Sequence, residues 1–92
     1  MIKIMMPSGH YAYIASATST FYLGGCGVCD RCNDITSRGY LVPLHTSYYC
    51  PDCFNSLKAQ TKYYRESIPF ERMVMENWES RIPVLIDATY NE

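Results

Sequence analysis

Two short stretches decide how this chain is read: "CGVCDRCND" at residues 26–34 and "YYCPDCFNSL" at residues 48–57. The first sets three cysteines on a three-residue beat, and the second supplies two more. A structural zinc ion takes four tetrahedral ligands, commonly two Cys-x-x-Cys pairs that the fold brings together. Cys29 and Cys32 with Cys50 and Cys53 give C-x2-C-x17-C-x2-C, within the spacing expected of such a site. Cys26 and Cys29 as the first pair lengthen the gap to twenty residues, and spacing alone leaves that choice open.

Local chemistry favours Cys29 and Cys32. A zinc knuckle turns tightly so that backbone N–H groups face sulfur, and the residue after its second cysteine often takes a left-handed conformation. Asn33 tolerates that conformation better than most residues, whereas Asp30 would fill the role less well. Ile35 would then begin a hairpin. The second pair sits where a helix should open. Pro51 suits a first helical position, and Asp52 puts a carboxylate near the positive end of the helix. Free N–H groups there would stabilise thiolates.

Knuckle, hairpin, and a helix carrying the second pair resemble the treble-clef class of zinc fingers over residues 26–66, with the two cysteine pairs as the specific elements. The pattern also resembles small cysteine-paired phage and prophage proteins. The resemblance implies a four-cysteine zinc site at Cys29, Cys32, Cys50 and Cys53. It does not choose a function, because treble clefs serve nucleases, ribosomal proteins, adaptors and DNA binders. Four thiolates also suit iron, but Phe54 stands where rubredoxins place a glycine. A redox dithiol is disfavoured because no βαβ pattern surrounds either pair. Cys26 reads as a buried small residue, a substitute ligand or a reachable thiol between Gly25 and Gly27.

The 92 residues suffice for one domain, of a size that commonly leans on a metal or disulfide staple. Apolar residues make up 48%, which places the chain among globular sequences. No apolar run reaches the roughly 18 residues of a membrane span. The start, "MIKIMMPSGHYAY", is too short in its apolar part for a secretory leader. The expectation is a cytoplasmic setting, where thiols stay reduced and bind metal.

The expected fold class is α+β in a single domain over 1–92: a β-rich part at 1–25, the treble clef at 26–66, and a second helix with a C-terminal arm at 67–92. In the first part, "HYAYIASA" alternates with Tyr11, Tyr13 and Ala15 on one face, and "TSTFYL" at 18–23 is rich in β-formers, so the reading is a hairpin or three-stranded meander. Between the clusters, a turn at Ser37-Arg38-Gly39 would be flanked by two short strands, with Pro43 keeping the second at an edge or bulge. Phe54, Leu57, Thr61, Tyr64 and Ile68 follow helical spacing until Pro69. Phe70, Met73, Val74, Asn77, Trp78 and Ile82 then share a face of the next helix. "PVLIDATYNE" reads as an edge strand or extended arm.

No Ser/His/Asp set, phosphate loop or spaced carboxylate pair assembles with any specificity, so no enzyme activity is expected. His45 lies where nucleases of the HNH type place a catalytic histidine, but residues 54–68 offer no second ligand on the helix. His10 and His45 read as surface or hydrogen-bonded histidines. Two binding roles follow. A protein partner or self-association would use Tyr48, Tyr49, Tyr63, Tyr64 and Tyr90, or the helix face of Phe70, Met73 and Trp78. Nucleic acid would be contacted by Lys58, Lys62 and Arg65 on one helical face. Net charge of -1 and six acidic against two basic residues over 66–92 oppose the second role.

Overall fold

Strand β2, Tyr11–Ser16, is the centre of the molecule because both of its faces are buried. The computed structural model describes residues 1–82 and 85–86. β1, Ile2–Met5, pairs antiparallel with β2 in the register Ile2↔Ile14 to Met5↔Tyr11. On its other side β2 pairs antiparallel with β3, Arg38–Val42, which pairs with β4, Ser47–Tyr49. These four antiparallel strands gain a fifth at the edge, where β5, Leu85–Ile86, runs parallel to β1. Among the described residues three helices complete the α+β fold: α1, Ala17–Phe21; α2, Pro51–Gln60; and α3, Ile68–Arg81.

Alternation along β2 divides the core in two. Tyr13 and Ala15 join Leu41 and Tyr48 against Val74, Met75 and Trp78 of α3. Ala12 and Ile14 point into a second cluster with Ile4, Met6, Val42, Tyr49, Phe54 and Cys29. The expected face of Tyr11, Tyr13 and Ala15 is thus present, and the residues between them are buried as well. Tyr13 meets the Trp78 indole edge-on at 5.9 Å between ring centres, and its hydroxyl donates to Glu79.

The N-terminal hairpin is found, but the third strand expected at 18–23 is not. Residues Ala17–Phe21 form α1, because Ser16 caps it by accepting from the Ser19 N–H at 3.2 Å. The buried Thr20 hydroxyl donates to the Ala17 carbonyl, so its β-branched preference yields to a local hydrogen bond.

The second hairpin reverses later than expected. Arg38 and Gly39 lie within β3, and the chain turns at a 3-10 segment, Pro43–His45, closed by Thr46 at φ 50°. Gly39 is required for close approach: a Cβ there would come within 2.8 Å of the Tyr48 ring and strike the Tyr49 carbonyl. Pro43 ends β3 and opens the 3-10 turn, in place of the edge or bulge position expected for it.

α2 begins as expected, with Pro51 and Asp52 in its first turn, but stops at Gln60. Thr61 turns extended and returns both its N–H and hydroxyl to the Leu57 carbonyl. Of the expected stripe only Phe54 is fully buried; Tyr64 is exposed. Pro69 opens α3 as expected. The buried face of α3 is rotated, however: Glu71, Val74, Met75 and Trp78 face inward, while Phe70, Met73 and Asn77 do not.

Glu71 explains the rotation. It is 3% exposed, and its Oε2 accepts from the Tyr11 N–H at 3.1 Å and lies 3.0 Å from His10 Nδ1. His10 Nε2 accepts the Tyr64 N–H at 2.8 Å, so the proton sits on Nδ1 and is donated to Glu71. This strut ties α3, the β1–β2 hairpin and the 61–64 connection together. Glu71→Ala would strand two buried donors and should cost about 3 kcal/mol. Chemical denaturation checks this, with Glu71→Gln expected to cost less because it keeps an acceptor.

Candidate metal centre

The knuckle is built as its residues demand. Asn33 takes φ 65°, the left-handed conformation expected of it, and its N–H reaches the Cys29 carbonyl at 2.9 Å. The Cys29 N–H reaches the Asp34 carbonyl at 2.9 Å, and Val28 bridges Ile35. The Arg31 N–H points at Cys29 Sγ, 3.4 Å away. Gly27 precedes the knuckle at φ 72°, and a Cβ there would lie 2.8 Å from that of Ala17. This glycine therefore allows close packing on α1.

Cys50 is the N-cap of α2 and Cys53 lies in its first turn. Phe54 behind them is wholly buried and stacks on Tyr40 at 4.0 Å between ring centres. Two contacts lock the knuckle to the second pair. The Asp30 N–H donates to the Tyr48 carbonyl while Asp30 Oδ2 accepts the Tyr48 N–H, at 2.8 and 2.7 Å. Arg31 reaches the Cys53 carbonyl at 3.3 Å.

These constraints bring Cys29, Cys32, Cys50 and Cys53 together, with all four sulfurs within 4.8 Å of one another. The cluster could hold a metal ion. Cys32 and Cys50 Sγ are 3.8 Å apart, which matches the edge of about 3.8 Å in a tetrahedron with metal–sulfur bonds of about 2.3 Å. Cys26 lies outside the group and is exposed, so it is not a buried small residue.

Cys29 and Cys53 differ in acidity. Burial works to raise Cys29, but N–H groups of Cys32, Cys50 and Arg31 outweigh it and bring the thiol down to about 6. Cys53 is pushed up to about 12, first by its hydrogen bond to Cys50 and then by burial. The site therefore holds one thiolate readily and resists accumulating four without a cation.

Other residues singled out by sequence are placed elsewhere. Tyr48 and Tyr49 are buried core residues, whereas Tyr63 and Tyr64 are exposed and Tyr63 stacks on His10; Tyr90 lies outside the described residues. His45 Nδ1 meets the Tyr49 hydroxyl at 3.2 Å, and burial lowers its pKa. α2 ends before Lys62 and Arg65, so these do not share a helical face with Lys58. A cavity of about 490 Å³ lies against α3 and β1, away from the cysteines, lined by Lys3, Tyr11, Tyr63, Glu71 and Glu79 among others. Among the described residues, no helix is long and apolar enough to cross a membrane.

The His10–Glu71 pair was not foreseen. The partners are 61 residues apart, so no local motif links them, although Glu71 stands at helical spacing with Val74, Met75 and Trp78.

Comparison with protein-family models, with curated proteins and with solved structures gave no significant match.

A β-branched residue at Asn33 should strain the knuckle by about 1–2 kcal/mol. Asn33→Val should weaken metal binding roughly tenfold while Asn33→Gly retains it, as read by competition with a chromogenic chelator.

Proposed function

We propose that this chain is a small cytoplasmic zinc protein in which Cys29, Cys32, Cys50 and Cys53 hold a structural Zn2+ in a treble-clef arrangement. We further propose that the module so stabilised binds a protein partner or a second copy and catalyses nothing itself. The convergence of four sulfurs within 4.8 Å carries the metal reading. Zinc would do here what a larger core does elsewhere, joining knuckle to helix in a chain with little apolar area to spend. Support for an adaptor comes from apolar side chains left outside: Phe70 and Met73, one helical turn apart on α3, are 45% and 60% exposed. His10 has both nitrogens engaged, which supports a structural role over proton transfer.

Native mass spectrometry of protein purified without added metal should show one zinc per chain. A folded chain devoid of metal would overturn the reading. Cys53→Ser should lose both the ion and the fold, while Cys26→Ser keeps both.

Acid should release the ion. Binding at neutral pH must expel protons from the less acidic thiols, so affinity falls as pH falls. The stability drawn from the Cys29 thiolate is complete above about pH 9 and lost as pH drops through about 6. Metal content should therefore fall as the solution is acidified, and a level profile would contradict four-thiolate ligation.

The adaptor role is tested by Phe70→Glu with Met73→Glu. The pair should leave thermal stability within about 0.5 kcal/mol, as exposed positions do, yet abolish self-association or partner capture. A low-salt shift on DNA or RNA that disappears in a Lys58, Lys62 and Arg65 to Glu variant would replace the adaptor reading with a nucleic-acid one.

A further inference from the structure

We propose that the metal centre, taken as the zinc site inferred above, responds to peroxide by forming a Cys32–Cys50 disulfide that expels the ion and leaves knuckle and helix tethered. The four sulfurs are not equally open. Cys29 has no exposed surface, Cys50 and Cys53 are partly covered, and Cys32 is exposed at the outer end of the knuckle. Cys29 sulfur also accepts the Arg31 N–H, which draws off the electron density an attacking thiolate needs. An oxidant arriving from solvent meets Cys32 first.

A resolving partner on the other segment is at hand. Cys50 Sγ lies 3.8 Å from Cys32 Sγ, so a disulfide of about 2.05 Å needs an approach of roughly 2 Å, within reach of side-chain rotation on a solvent-facing loop. In the first step the Cys32 thiolate attacks one oxygen of hydrogen peroxide. The O–O bond breaks, hydroxide leaves and is protonated to water, and Cys32 becomes a sulfenic acid. In the second step the Cys50 thiolate attacks that sulfur, the S–O bond breaks, and a second hydroxide leaves as water. Two thiolates lose one electron each and one peroxide becomes two waters. Cys29 and Cys53 remain, too few to hold the ion.

This chemistry replaces one link between knuckle and α2 with another. Asp30 still holds Tyr48, Arg31 still reaches the Cys53 carbonyl, and the new bond spans the same two segments. The fold should survive the loss of its ion.

The test uses the full chain as purified. Its zinc content is measured first; hydrogen peroxide is then titrated in, with released zinc read by a chromogenic chelator, disulfides mapped by peptide mass, and helix content by circular dichroism. The expected result is one zinc released per Cys32–Cys50 disulfide, with helix content retained and Cys26→Ser behaving as wild type. A zinc-bearing chain that releases nothing, that forms another pair, or that needs Cys26 for release overturns the switch and leaves the zinc site standing. A chain that carries no zinc overturns the site and the switch together.

Discussion

A strand buried on both faces must be clothed from both sides, and that demand on β2 organises the rest of this protein. Tyr13 and Ala15 require α3 above the sheet, and Ala12 and Ile14 require α2 and the knuckle below it. A chain of 92 residues has few side chains for either task. Above the sheet, large aromatic rings supply the area, led by Tyr13 and Trp78. Below it, Phe54 and Tyr40 stack, and Cys29 itself belongs to the apolar cluster.

The cysteine cluster is therefore continuous with the core. Cys29 presents its body to the cluster of Ile14 and Phe54 and its sulfur to the other three thiols. The two halves are also secured differently. The α3 side is fastened by a buried carboxylate and imidazole that satisfy each other and two backbone groups. The knuckle side is fastened by Asp30 and Arg31, by the packing of Cys29 into the apolar cluster and of Gly27 on Ala17, and its four sulfurs meet at the end of these contacts.

The site was largely legible before the fold was. Two Cys-x-x-Cys pairs, an asparagine after the first and a proline within the second are local signals, and local geometry honours them. What misled was context. Thr18, Thr20 and Phe21 favour strands in isolation, yet Ser16 caps a helix there. Thr61 and Tyr64 continue the helical spacing of α2, yet the chain leaves the helix at Gln60 so that the Tyr64 N–H can reach His10. Glu71 reads as polar and therefore outward, until a partner 61 residues away makes its burial favourable. Such pairings depend on which surfaces meet, and no window of sequence contains them.

Among the described residues β4 is the last strand on its side of the sheet, and such edges invite pairing with other chains. Here the Tyr48 N–H and carbonyl on that edge are both taken by Asp30, a residue between two of the clustered cysteines. The knuckle thus doubles as a stopper on the sheet's open rim. Whatever keeps the knuckle shaped therefore also keeps the outward backbone groups of Tyr48 engaged within the chain.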